Sequence, residues 1–365
     1  MKRRLPLALI LAGALTLAEA GCLVATDAVA PKSTVSVGTS SSSIECPIFP
    51  PNDVWNTPID HLLRDDHSGS YLENMEPKGH LHAGFGSGRT GEWGIAYIVA
   101  DKQTQRIALP LTQADDSDRG VFPIPKNPPL EHSPNGVLSV LDPEQCLLYE
   151  YSGLHKDADG EWNGQTAAVF DLRSHILRRT GAMSADAAGM PIFPGLVRYE
   201  EVAAGVIPHA LRFSIPHTRN LSIWPARHAA SNIYDSGYPP MGARFRLQSR
   251  FAINSFSRTS QVILRALQTY GMFLADNGAA WTISGAPDPR WNDMQLAEME
   301  RVPASAFEMV DEQPLVSDVN LGIARQDVRP GDLPAEAISS ATASATEAGS
   351  PGTPGSSGTP LPKKE

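Results

Sequence analysis

Leu147-Leu148-Tyr149-Glu150-Tyr151 and Ala167-Ala168-Val169-Phe170-Asp171-Leu172 flank Asp157-Ala158-Asp159-Gly160. Aromatic and β-branched residues suit a pleated, half-buried surface, and Asp-Gly is a hairpin turn signal. The two runs therefore predict strands joined across a turn. Working outward, similar short runs occur at 94–99, 107–111, 137–141, 210–215, 221–224, 243–247 and 281–284. Arg212, Ser214, Arg244 and Arg246 fall between apolar neighbours, the period-two pattern of a strand with one wet face. One helix is predicted over 259–275, where Ile263, Leu267, Tyr270 and Leu274 recur at helical spacing. Ser257 or Thr259 can cap it. A shorter helix is predicted over 294–299. There is no β-α-β alternation. The fold expected is mainly β: an antiparallel β-sandwich, jelly-roll-like, with one packed helix and short extra helices.

The start of the chain has an export pattern. Met1-Lys2-Arg3-Arg4 precedes an apolar run over 5–17 without an acid, and Ala18-Glu19-Ala20 fits a small-x-small cleavage site. Residues 1–20 therefore read as a signal peptide. Gly21-Cys22 resembles the end of a lipobox, with Glu19 where that motif wants an aliphatic residue. Lipidation at Cys22 and free release both stay open. Residues 21–45 read as a Ser/Thr-rich tether, 46–315 as a globular β-rich domain, and 316–365 as a disordered tail of Pro, Gly, Ser, Thr and Ala. Of three cysteines, removing Cys22 leaves Cys46 and Cys146, which an oxidising compartment would join. No segment is apolar for long enough to span a bilayer.

Composition narrows the partners. A formal net charge of −10 argues against nucleic acid, which needs a basic face, and gives no support for docking on anionic lipid. The 31 prolines and 30 glycines suit many turns between short strands. No phosphate-cradling loop or dinucleotide fingerprint occurs, so no cofactor is expected. No Gly-x-Ser-x-Gly elbow occurs either.

Carboxylates embedded in apolar runs carry the functional reading. Burying one costs several kcal/mol, about that much again for each further one, unless it is paired. Asp171, Glu200 and Asp276, with Glu150 as a fourth, could form a general acid and base pair in a groove. Arg198, Arg212, Arg227 and Arg244 could instead lock them in ion pairs. His209 and His228 are candidate bases or orienting groups. Trp224, Arg227, His228, Asn277, Trp281, Arg290 and Trp291 form the aromatic and polar mixture that a glycan groove uses; the alternative is that the tryptophans fill the core. His80 and His82, two apart, would share one strand face as metal ligands do, but lack an evident third ligand. Asp115-Asp116-Ser117-Asp118 and Asp157-x-Asp159 read as solvated loops rather than calcium sites.

Segments of the second half bring a resemblance. They are Pro194-Gly195-Leu196-Val197-Arg198-Tyr199-Glu200-Glu201-Val202 with Ile207-Pro208-His209-Ala210-Leu211-Arg212-Phe213, Trp224-Pro225-Ala226-Arg227-His228, Leu274-Ala275-Asp276-Asn277-Gly278, and Ile283-Ser284-Gly285-Ala286-Pro287-Asp288-Pro289-Arg290-Trp291. With His80-Leu81-His82 upstream, the chain resembles a family of uncharacterised exported bacterial proteins over most of 46–311. That resemblance implies no catalytic residues.

Two readings follow. The first is an exported carbohydrate-active protein, a polysaccharide hydrolase or lyase using Asp171, Glu200, His209 and Asp276. The second is a non-catalytic envelope lipoprotein that binds glycan or another surface component. Both place the protein outside the cytoplasm: lipid-anchored in the outer membrane or periplasm, or extracellular. A metal-dependent enzyme built on His80 and His82 is the third.

Overall fold

The computed structural model describes residues 34–35, 46–91, 93–130 and 134–326. The signal peptide and Cys22 lie outside the described residues, as do nearly all of the tether and most of the tail. Apart from the short pairs 34–35/46–47, 155–156/162–163 and 219–222/240–241, the strands in chain order are β1 (His82–Ala83), β2 (Tyr97–Val99), β3 (Gln105–Ile107), β4 (Phe122–Ile124), β5 (Leu138–Asp142), β6 (Leu147–Ser152) and β7 (Thr166–Asp171). Then come β8 (Leu211–Ile215), β9 (Arg244–Leu247), β10 (Met272–Asn277), β11 (Thr282–Ile283) and β12 (Phe307–Met309). The α-helices are α1 (Ser68–Asn74), α2 (Tyr199–Ala204), α3 (Arg258–Thr269) and α4 (Asp293–Leu296).

The chain is mainly β. A four-stranded sheet has the order β7-β6-β5-β2, and a six-stranded sheet the order β12-β9-β10-β8-β11-β1. The two opening runs are indeed neighbours, antiparallel from Thr166↔Ser152 to Asp171↔Leu147. Alternate residues of the smaller sheet serve two cores. Leu141, Leu148, Ala168 and Phe170 join the main core with Leu211, Phe213, Phe245 and Phe273 of the larger sheet. Leu138, Val140, Tyr149, Tyr151 and Ala167 pack with Phe122 and Ile124 of the β3–β4 pair. This is the period-two rule of a strand acting on both faces.

The sheets are not purely antiparallel. The pairs β8/β10, β11/β1 and β5/β2 are parallel. A parallel pair needs a crossover of a dozen or more residues, and the chain between β8 and β10 supplies one that contains α3. Ser257 caps α3, its side chain accepting from Ser260 N–H, and Val262, Ile263, Leu264, Ala266 and Leu267 are buried. The helix ends earlier than its periodicity suggests. Gly271 adopts φ +68°, and a Cβ there would lie 2.5 Å from Phe245 O, so the position favours glycine. From Met272 onward the chain is strand β10, and Leu274 is a strand residue. The expected wet face of 210–215 and 243–247 is also absent at two places: Arg212 is 3 % exposed and Arg244 0 %. The alternation is real, but part of the polar side faces a buried charged layer.

The domain also runs past 315. Ala324 is 1 % exposed, Ile323 bridges Asp53, and Trp224 Nε1–H donates to Leu321 O at 2.8 Å. The apolar residues Leu321, Ile323 and Ala324 hold 316–326 against the fold.

Cys46 and Cys146 are bonded, with Cα atoms 5.5 Å apart and a sequence separation of 100. The link ties the short strand Cys46–Pro47 to the turn after β5. Constraining so long a loop in the unfolded chain stabilises by roughly 2–5 kcal/mol. The double variant Cys46→Ser/Cys146→Ser should lose that amount in urea unfolding, with the far-ultraviolet circular dichroism of the folded state unchanged.

Candidate functional site

The buried charged layer is centred on Arg212. Its strand, β8, runs parallel to β10, and their register shifts between Phe213 and Ser214. Regular pairing from Phe213↔Leu274 would set Ala275 beside Ser214. The shift sets Asp276 there instead. Paired residues share a sheet face, and so do Ser214 and Arg212, so the irregularity turns Asp276 toward the guanidinium. Such bulges often re-aim a side chain.

Two carboxylates reach Arg212. Nη2 lies 2.6 Å from Asp186 Oδ2 and 3.8 Å from Asp276 Oδ2. Nη1 donates to Ser284 Oγ at 2.8 Å, and Nε, buried, has no hydrogen-bond partner among the described residues. Asp186 Oδ1 also accepts from Ala188 N–H at 2.8 Å. Its side chain is 0 % exposed, whereas that of Asp276 is 43 % exposed.

Glu150, on β6, is the third acid of the layer. It accepts from Ile192 N–H at 2.8 Å, Phe193 N–H at 2.8 Å and Ser139 Oγ–H at 3.0 Å. No ion pair holds it among the described residues, but the field of Arg212 reaches it. Burial raises Glu150 to about 7 against those hydrogen bonds. Burial also raises Asp186 to about 7, Arg212 opposing and Asp276 adding to the rise. Asp276 is raised too, by burial, with Arg212 opposing. One guanidinium among three acids leaves protons in the layer near neutral pH.

His228 flanks the same segment. Ala188 N–H donates to Ala275 O, beside Asp276, at 3.1 Å, and His228 N–H donates to Ala188 O at 3.1 Å. His228 Nδ1 lies 2.8 Å from Ala187 O. A carbonyl only accepts, so Nδ1 carries hydrogen and Nε2 is the free acceptor of the neutral ring. Nε2 has no hydrogen-bond partner among the described residues, and the residue is half-buried. Asn277 completes the neighbourhood: Nδ2–H donates to Ala230 O at 2.6 Å and Oδ1 accepts from Thr218 Oγ1 at 3.0 Å. Asp276 and His228 therefore flank one loop and offer a carboxyl and an imidazole.

The other expected catalytic residues have separate partner sets. Asp171 pairs with Arg173 at 3.2 Å at the exposed end of β7. Glu200, in the first turn of α2, pairs with Arg290, which also holds Asp288. His209 is 1 % exposed, with Nε2 2.8 Å from Arg198 Nη2 and 3.1 Å from Glu201 Oε2. Burial opposes the charge on Glu201, but Arg198 and His209 outweigh it and hold the acid at about 2. That triad is a locked ion cluster.

The aromatic residues divide similarly. Trp281 and Trp291 are 0 % and 1 % exposed. Trp281 stacks on Phe213 and Phe307, and Trp291 meets Phe85 and Tyr199 edge-on. Enclosed rings offer no face to a sugar, so both are core residues rather than binding residues. Trp224 is half-buried against 321. Arg227 is committed to Arg178 O, Val319 O, Thr180 Oγ1 and Asn320 Oδ1. Arg290 is exposed, with its guanidinium 4.1 Å from the Tyr199 ring. His82 Nδ1 lies 2.7 Å from Glu300 Oε1, and His80 bridges Pro303. No group of three or more His, Cys, Asp or Glu suited to a metal occurs among the described residues.

Comparison of the chain with family models, with curated proteins and with solved structures gives no match.

The raised acids set a pH dependence. A folded-state pKa above the unfolded value means that folding takes up protons. For Glu150 and Asp186 the ordinary values are 4.5 and 3.8, against about 7 in the fold. Their stabilisation is present below the ordinary values and is lost as pH rises through about 7. Glu150→Gln keeps one acceptor but turns an N–H₂ toward a backbone donor, costing about 1–3 kcal/mol at pH values near 5. Urea unfolding across the window should show wild-type stability falling with pH, and a shallower fall in Glu150→Gln.

Proposed function

We propose that the chain is an exported carbohydrate-active protein whose chemistry centres on Asp276 and His228, with Arg212, Asp186 and Glu150 beneath them. One observation carries this reading. Asp276 is the acid of the layer whose side chain is substantially exposed, and it shares its guanidinium with a much closer competitor. A carboxyl held in that way retains its proton to higher pH and suits proton donation. The imidazole across the loop, whose Nε2 has no partner among the described residues, suits proton abstraction. β-Elimination from a polysaccharide uses such a pair, a base to take a proton and an acid to give one, whereas glycoside hydrolysis more commonly uses two carboxylates. A pair of two carboxylates has less support, because Asp186 is enclosed.

Two stacked sheets with sandwich character are the architecture we assign to this reading, the site lying beside the end of β10. Export, with either a lipid anchor at Cys22 or release, is the setting it requires, and the basic, apolar start of the chain supports it.

A second reading, non-catalytic glycan binding, has its own support. Tyr199, Arg290, Glu200 and Asp288 gather in a partly exposed aromatic and charged patch, and such mixtures hold sugars.

A polysaccharide panel, scored for binding, for new reducing ends and for unsaturated products, separates the two. The enzyme reading expects product, with Asp276→Asn and His228→Gln each lowering kcat at least about a hundredfold and melting like wild type. Binding without product, lost in Arg290→Ala and intact in Asp276→Asn, would favour the second reading.

A further inference from the structure

The His82 segment, which the acid layer does not use, forms one wall of a pocket with a volume near 330 Å³. β1 and the turn after it face α4 and the following helical turn, Ala297–Arg301, across this space. Phe85 and Leu296, 1 % and 3 % exposed, make an apolar floor, and Ala83 and Ala297 leave room above it. Met294, 81 % exposed at the rim, is a flexible side chain that can close over a guest. The volume falls in the lower part of the range of small-molecule sites, roughly 300–1,000 Å³. It suits one ring with a short arm.

Beside His82 and Thr90, the polar groups lining the pocket are the acids Asp293 and Glu300. Asp293 accepts from Ser87 N–H at 2.8 Å and from Ser87 Oγ–H at 2.5 Å. Those donors fix its position without cancelling its charge. Glu300 accepts from His82 Nδ1 through Oε1 at 2.7 Å, and Oε2 has no hydrogen-bond partner among the described residues. Arg89, the nearby cation, donates to Trp291 O at 3.0 Å. Two carboxylates thus face the pocket, against the His82 imidazole and the Arg89 guanidinium, which donates to the backbone and whose field reaches Asp293.

We propose that this pocket binds a small organic cation, an apolar or aromatic body carrying an ammonium group, with the body on Phe85 and Leu296 and the ammonium toward Glu300 and Asp293. The inference shares no residue with the acid layer and does not depend on catalysis there. It also gives His82 a place: its ring fixes the Glu300 carboxylate instead of holding a metal.

Three probes of one shape and different charge test this: benzylamine, benzyl alcohol and benzoate, each titrated into the isotope-labelled protein. Amide resonances of Ala83, Phe85 and Ala297 report binding. Benzylamine should shift them saturably at millimolar concentration, benzyl alcohol more weakly, and benzoate not at all. Glu300→Gln should weaken benzylamine about three- to fivefold, the scale of a partly exposed charge pair, and leave benzyl alcohol unchanged. Ala297→Trp, at an exposed position, should fill the space and abolish all shifts. Asp276→Asn should leave binding intact. Equal binding of benzoate and benzylamine would overturn the proposal, as would shifts that survive Ala297→Trp or the absence of saturable shifts with any probe.

Discussion

Arg212 lies enclosed with its guanidinium between Asp186 and Asp276, and the field of that one cation also reaches Glu150. A lone buried cation would cost several kcal/mol; so would each acid. Together they are tolerable, because the charges are opposed and each carboxylate oxygen of the enclosed acids meets a donor. The arrangement is still uneven: three acids to one base. The shortfall is met by backbone N–H groups at Ile192 and Phe193 for Glu150, by Ala188 for Asp186, and by retained protons. Asp276, farther from the guanidinium than Asp186, is the acid whose side chain reaches solvent.

Two sheets position these groups. Glu150 comes from the four-stranded sheet, Arg212 and Asp276 from the six-stranded sheet, and Asp186 from the loop laid along β10. The charged layer therefore joins elements that the apolar core also joins, and a shift of either sheet would break its contacts. By contrast, Arg244 serves a separate buried cluster. Its Nη1 meets Glu312 at 3.2 Å, while Nε and Nη2 donate to Tyr270 O and Thr57 O at 2.8 Å each. It holds the 54–57 turn onto β9, and burial raises Glu312 to about 7 despite Arg244. Enclosed charge in this protein thus does structural service in one place and leaves a half-open acid in another.

Much of this was legible in the residues, though unevenly. The strands at 147–151 and 167–172, the helix cap at Ser257 and the Cys46–Cys146 link follow from local rules of propensity, capping and compartment chemistry. The parallel pairings do not, because alternation within a strand says nothing of its neighbour's direction. Asp276, Asn277 and His228 stand out as polar groups after apolar runs. Asp186 does not: Ala185-Asp186-Ala187-Ala188-Gly189 has no periodicity, and its burial comes from tertiary packing. The choice between Glu200 and Glu201 was equally closed to inspection, since α2 turns one to Arg290 in solvent and the other to His209 inside. Trp281 and Trp291 mislead for a general reason: large aromatics beside polar residues mark cores as readily as binding grooves.

The protonation of the buried layer can be measured directly by carbon-detected carboxyl titration of Glu150 and Asp186 in the folded protein. Because burial raises both and the one guanidinium, shared among three acids, only partly opposes it, both should titrate near 7, and Arg212→Met should push both higher still. Midpoints in the ordinary range near 4, unmoved by Arg212→Met, would contradict the shared-cation account and with it the reading of Asp276 as a proton donor.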